Sequence, residues 1–167
     1  MPLKEVDVKS LNISPFTAIG DDWMLVTAGD QDSHNTMTAS WGGLGVLWGA
    51  PAATIYLRPQ RYTKEFVDRE EYFTLAFFGE EQRKALTLCG SKSGREVDKV
   101  KECGFTVQAA ECGAPYFDQA ELVLVCRKRF AQPMDPANIP QDVKEKWYPQ
   151  QDYHTMYIGQ IVEALVR

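Results

Sequence analysis

Histidine is scarce in this chain: His34 and His154 are the only two among 167 residues, and they lie far apart. None of the four cysteines, Cys89, Cys103, Cys112 and Cys126, stands in a C-x-x-C pair. A transition-metal centre therefore lacks its usual cluster of nitrogen and sulfur donors. The opening Met1-Pro2-Leu3-Lys4-Glu5-Val6-Asp7 has no apolar region of the signal-peptide kind, so the cysteines read as buried or half-buried free thiols rather than a disulfide framework. No apolar run reaches the length of a membrane span. The expected location is the cytoplasm. An excess of positive charge is missing too: 18 Lys and Arg face 23 Asp and Glu, a net charge of -5, which argues against a broad nucleic-acid surface while leaving room for a local basic pocket.

Two phosphate-binding signatures are also lacking. In His34-Asn35-Thr36-Met37-Thr38-Ala39-Ser40-Trp41-Gly42-Gly43-Leu44-Gly45-Val46-Leu47-Trp48-Gly49, Gly43 and Gly45 fit the dinucleotide fingerprint. Its third glycine position holds Trp48, and the following Ala52 to Leu57 is strand-prone where a helix should open. Gly90-Ser91-Lys92-Ser93-Gly94 has no Lys-Ser ending after its second glycine, so it is not a nucleoside triphosphate loop.

What the chain does hold is one domain's worth of short, β-branched or aromatic runs bounded by Gly, Pro and Asp. Strands are predicted at Met24 to Ala28, Thr36 to Ser40, Ala53 to Leu57, Tyr72 to Phe78, Ala120 to Cys126 and Thr155 to Ala164. Helical patterns fall at Thr63 to Arg69, Glu80 to Leu88, Val97 to Lys101 and Asp142 to Trp147. Three prolines in Gln132 to Pro140 exclude a central strand there and predict an excursion before the last strand. Residues 1–167 thus read as a single, mainly β domain: a closed or half-open barrel with peripheral helices, not a doubly wound sheet.

Three polar clusters lie between the strands. Alternation in Asn35-Thr36-Met37-Thr38-Ala39-Ser40-Trp41 puts Thr36, Thr38 and Ser40 on one face and Met37, Ala39 and Trp41 on the other; the hydroxyl face is either solvated or directed at a ligand. Arg58-Pro59-Gln60-Arg61-Tyr62-Thr63 sets two arginines before a helix whose N-cap is expected at Thr63, an anion site in outline, or else two surface arginines flanking a turn. Ser91-Lys92-Ser93-Gly94-Arg95 follows a helix and offers further donors, or simply a capping loop. Two clusters of phosphate donors and one hydroxyl-rich aromatic strand describe a phosphorylated, planar, polar ligand, and flavin mononucleotide (FMN) is such a ligand.

Taken in order, Asn35 to Gly42, Arg58 to Thr63, Cys89 to Lys99 and Asp152 to Gly159 resemble the flavin reductase-like family with an FMN-binding split barrel, flavoredoxin-type proteins above all. The resemblance implies a Greek-key split barrel and a homodimer with FMN near the subunit interface. It further implies electron transfer from NAD(P)H through FMN to a second acceptor, or, in the carrier alternative, from a partner protein. By position, Asn35, Thr36, Met37, Thr38, Ala39, Ser40 and Trp41 would edge the isoalloxazine ring. Arg58, Arg61, Tyr62 and Thr63, joined by Ser91, Ser93, Gly94, Arg95 and Lys99, would belong to the phosphate side. His154 and Tyr157 match the family's C-terminal block and would approach the flavin. Gln160 departs from the acidic residue expected after Ile158-Gly159. No catalytic acid or nucleophile is expected, because the cofactor carries the redox chemistry.

Overall fold

Near-continuous apolar runs such as Met24 to Ala28 and Leu122 to Cys126 need cover on both faces of the sheet they join. In the computed structural model, which describes residues 1–167, the strands are β1 Lys4–Val6, β2 Met24–Gly29, β3 His34–Ala39, β4 Gly42–Leu47 and β5 Ala50–Leu57, then β6 Tyr72–Phe77, β7 Val107–Ala109, β8 Pro115–Phe117, β9 Leu122–Pro133 and β10 Thr155–Val166. The α-helices are α1 Pro15–Gly20, α2 Tyr62–Arg69, α3 Arg83–Ser91, α4 Lys99–Cys103 and α5 Gln141–Trp147. Eight strands form one antiparallel sheet in the order β3-β2-β6-β9-β10-β5-β4, with β1 also on β10, while β7 and β8 pair separately.

The two long strands join the halves. Leu122 to Arg127 of β9 pair with β6, while Lys128 and Phe130 to Pro133 pair with β10 alone. On its other side β10 pairs with β5 through Thr155–Gln160 and with β1 through Ala164–Val166. The path ends, β3 and β4, do not pair with each other, which leaves the barrel split.

Period-2 alternation sorts side chains between two cores. Met24, Val26, Phe73, Leu75, Leu124 and Cys126 enter the main cluster, whereas Leu25, Ala76, Val123 and Val125 enter a second one completed by Leu86, Cys89, Phe105 and Phe117. Each fully buried large apolar side chain contributes about 1.5–3 kcal/mol relative to exposure. At Gly159 an added Cβ would lie 2.7 Å from Phe73 Cζ and 2.8 Å from Cys126 Cβ, so β10 crosses the main core only because that position is bare.

The glycine-rich stretch becomes β4, paired with β5 across a tight turn in which Trp48 and Gly49 have φ of 51° and 72°. Two successive positive φ values match the twist of a two-residue hairpin. Gln132 and Pro133, assigned to an excursion by sequence, extend β9 instead, because there the strand's far edge is unpaired and proline costs no ladder bond. β1, β7, β8 and α1 were not anticipated, and Glu80–Gln82 is a 3-10 turn preceding α3. No helix is long and apolar enough to cross a membrane.

Candidate functional site

As an end strand, β3 must be completed on both faces and along its outer edge by other elements. Met37 and Ala39 pack in the main core with Phe66 and Val67 of α2. The opposite face is not solvated, since α3 covers it. Thr38 donates its hydroxyl to the Leu86 carbonyl, and the Thr36 hydroxyl lies 2.8 Å from that of Thr27 and 3.2 Å from the Val26 carbonyl. These two hydroxyls are committed to protein partners.

An open cleft of about 510 Å³ runs beside β3, between the start of α2 and the loop into α4. Of the expected residues, Asn35, Thr36, Tyr62, Gly94, Arg95 and Lys99 line it. Buried Asn35 donates Nδ2 to Thr63 Oγ1 at 2.8 Å, and a Cβ added to Gly94 would lie 1.9 Å from Asn35 Oδ1. One side chain thus joins three sequence blocks. Thr63 is the second residue of α2 rather than its cap: Arg61 holds the cap position without a side-chain capping bond, and the Thr63 hydroxyl serves Asn35 instead.

Two cations without a carboxylate partner lie at this end of β3: buried Lys99, on the cleft wall, and half-buried Arg61, outside the cleft lining. Lys99 is 5% exposed and donates Nζ to the Thr36 carbonyl at 2.7 Å and the Cys89 carbonyl at 2.9 Å. Burial, reinforced by the nearby positive charge of Arg61, pulls its pKa down to about 8. Arg61 donates Nη1 to the Gly90 carbonyl at 3.1 Å, and its Nη2 is buried with no hydrogen-bond partner. Burial lowers its pKa also. An orphaned guanidinium nitrogen is costly unless something accepts from it.

The remaining donors are arranged differently. Arg95 pairs with Glu65 at 2.7 Å, its guanidinium carbon 4.3 Å from the Tyr62 ring centroid. Ser91 Oγ bonds back to the Thr87 carbonyl at 2.9 Å, and Ser93 Oγ accepts from the Arg95 amide at 3.2 Å. Arg58 does not join Arg61. It pairs with Asp152 at 3.0 Å, donates to the Trp147 carbonyl at 3.0 Å and lies 5.0 Å from the Tyr148 ring centroid.

Arg58 belongs to a second grouping around His154. The Trp41 ring is 5.0 Å from Trp147 and 5.4 Å from His154, and Tyr148 Oη is 2.6 Å from His154 Nδ1. Burial, then the Arg58 charge, lowers the His154 pKa to about 4, so its imidazole is neutral at pH 7. Ser40 connects this grouping to β3. Tyr157 reaches neither grouping: its side chain is fully buried and its hydroxyl donates to Asp68 on α2.

Sequence reasoning missed Asp32, Ser33, His34 and Phe66 along the cleft, and Tyr56, Trp147 and Tyr148 beside His154. The first three had a signal. Asp30 Oδ1 accepts from the Asp32 and Ser33 amides at 2.8 and 2.7 Å, the local turn that Asp favours before a strand. Tyr56, Trp147 and Tyr148 carried none, because they come from β5 and the segment through α5.

Solved structures share the fold. A flavoredoxin from Methanosarcina acetivorans is 22% identical with a TM-score of 0.70, aligning 87% of this chain with 68% of that one. Flavoredoxin of Desulfovibrio vulgaris (Miyazaki F) is 23% identical with a TM-score of 0.68, over 87% of this chain and 69% of the other. The NADH:FAD oxidoreductase of Streptomyces globisporus C-1027, solved with NAD and FAD fragments, is 19% identical with a TM-score of 0.66, over 87% and 75%. No protein of curated function matches the chain. The family model described as Flavin reductase like domain matches residues 18–167, almost the whole split barrel and both residue groupings, and the chain belongs to that family.

Proposed function

We propose that the protein is an FMN-dependent oxidoreductase that takes electrons from NAD(P)H and passes them to a second acceptor. The observation that carries this reading is the buried, unpartnered Nη2 of Arg61 at the start of α2, with Lys99 nearby and equally free of carboxylates. The fit to a flavin phosphate is chemical: two desolvated cations and the free amides of a helix start are a standing demand for an anion. Bound FMN would supply the two-electron chemistry that no side chain here offers. Arg61 and Lys99 would hold its phosphate, while Asn35, pinned by Thr63 and Gly94, keeps the β3 edge in place against the cleft. Trp41 and neutral His154 would form an aromatic wall on which a planar donor or acceptor docks.

A homodimer belongs to the same proposal. Phe16, Val46 and Trp48 are exposed, and a groove of about 380 Å³ lined by Val8, Leu11, Ile13, Leu44, Val46 and Ile161 lies beside the β4–β5 turn. A second copy would cover this surface, and light scattering should give twice the 18.9 kDa chain mass. Anaerobic mixing with NADH and with NADPH, following flavin bleaching, tests the donor. Bleaching by neither would favour a carrier reduced by a partner protein.

The phosphate assignment has its own test. Charge-assisted hydrogen bonds contribute roughly 1.5–3 kcal/mol, so Arg61→Ala should weaken FMN binding about ten- to a hundredfold and leave riboflavin binding nearly unchanged. Titrating both ligands into both proteins closes a double cycle. Equal losses for the two ligands would mean that Arg61 supports the fold or the ring, not the phosphate.

A further inference from the structure

Cys89 and Cys103, fourteen residues apart, face each other across α3 and α4 with their sulfurs 3.7 Å apart. Cys89 is fully buried near the end of α3, and Cys103, half-buried, ends α4. The Cys103 thiol points at the Ala85 carbonyl 3.8 Å away, which leaves its sulfur to receive the Cys89 thiol. Cys126 is sealed in the main core and Cys112 is exposed in the loop before β8, so no other sulfur contacts this pair.

Both cysteines are one step from the buried cations. The Cys89 carbonyl accepts from Lys99, the next carbonyl, of Gly90, accepts from Arg61, and Lys99 and Cys103 share one face of α4 at a spacing of four. A disulfide holds its sulfurs about 2.0 Å apart, so closing the present gap brings the two sulfurs together by more than an ångström and draws on the side-chain torsions and backbone at the end of α3 and of α4. Those two elements hold Lys99 and Arg61 where they are.

We infer that Cys89 and Cys103 are an oxidation site, closed to a disulfide by peroxide, and that closure loosens the grip on the flavin phosphate; this second half rests on the function proposed above. The half-exposed Cys103 sulfur attacks a peroxide oxygen and the O–O bond breaks. One water, for hydrogen peroxide, leaves with the thiol proton, and a sulfenic acid remains. The Cys89 sulfur then attacks the Cys103 sulfur, the S–O bond breaks, and the hydroxyl departs as water with the Cys89 proton. Two electrons pass from the sulfurs to the peroxide, and one disulfide and two waters result. Burial pushes the Cys89 thiol up to about 12 and raises Cys103, so the reaction is a slow response to sustained oxidant rather than a peroxidase cycle.

The test treats the purified holoprotein with hydrogen peroxide, alkylates the remaining thiols, maps the peptides, and titrates FMN and riboflavin before and after. A Cys89–Cys103 cross-linked peptide is expected, together with an intact mass lower by about 2 Da and an FMN affinity lower by about fivefold or more. Riboflavin affinity should hold, and dithiothreitol should reverse the change. Cys103→Ser, or Cys103→Ala if the first variant folds poorly, should bind FMN normally and stop responding to peroxide, whereas Cys112→Ser should respond like the parent. Separately oxidised thiols, or pairing through Cys112, would overturn the assignment. A cross-link with unchanged FMN affinity would overturn the coupling. If neither form binds FMN, the proposed function fails, and the peptide map still decides the disulfide.

Discussion

The two ends of β3 are surrounded by opposite electrostatics. At the Asn35 end, buried Lys99 and half-buried Arg61 donate to backbone carbonyls with no counter-ion. Beyond the Ala39 end, around Trp41 and His154, the arginine is neutralised: Arg58 meets Asp152, which also accepts from Gln60 at 2.8 Å, and the rest is aromatic. Uncompensated positive charge is tolerated in a fold when a ligand completes it, whereas a paired charge is already complete. The first end thus keeps positive charge without a counter-ion, and the second is closed by its own ion pair and aromatic rings.

The pH dependence of FMN binding should expose this contrast most strongly. Lys99 has a folded pKa of about 8, below the usual lysine value, and a bound phosphate would raise it again. FMN affinity should therefore be full below about pH 8 and fall by up to about tenfold per unit above it. Riboflavin should show no such slope, and Lys99→Met should abolish it. Isothermal titration from pH 7 to 10 measures both; parallel curves for the two flavins would remove Lys99 from the phosphate side.

At the aromatic end the expected effect is on stability. The folded pKa of His154 is lowered to about 4, so the unfolded chain binds the extra proton first as the pH falls. Its contribution is fully present above about pH 6.5 and is lost progressively toward pH 4, by roughly 2–3 kcal/mol. Urea unfolding across that range should show the slope, and His154→Gln should flatten it. A parent and variant with the same slope would mean that the imidazole is protonated in the fold.

The smallest effect belongs to Arg58→Ala. Loss of its bonds to Asp152 and the Trp147 carbonyl should release α5 and alter tryptophan emission, while the preference for FMN over riboflavin stays within about twofold. A loss comparable with that of Arg61→Ala would erase the distinction between the two ends.

Much of the framework was legible because alternation and turn chemistry act locally. Met24 to Ala28, Tyr72 to Phe78 and the start of β9 were read as strands from β-branched and aromatic runs alone, the second ending one residue beyond β6, and α2 and α5 were placed within a residue of their ends. The glycine segment was harder, since few of its side chains announce a strand and its pairing with β5 supplies the reason it is extended. The site divides the same way. Asn35, Arg61, Gly94 and Lys99 were nameable from sequence, but their contacts span up to 63 residues of chain and depend on which face α2 and α3 cover.

The sequence by itself determined the β-rich framework, the residue blocks, the family they resemble and the exclusion of nucleotide loops, because each depends on composition, spacing or order along the chain. Only the tertiary structure decided that Arg58 and Arg61, three residues apart and alike in sequence, have different partners. Arg58 finds Asp152 and the Trp147 carbonyl; Arg61 bonds the Gly90 carbonyl and keeps its other terminal nitrogen buried without a partner. The same holds for Cys89 and Cys103, whose contact exists because α3 and α4 pack together. Partner choice and desolvation are set by neighbours distant in sequence, and no local pattern encodes them.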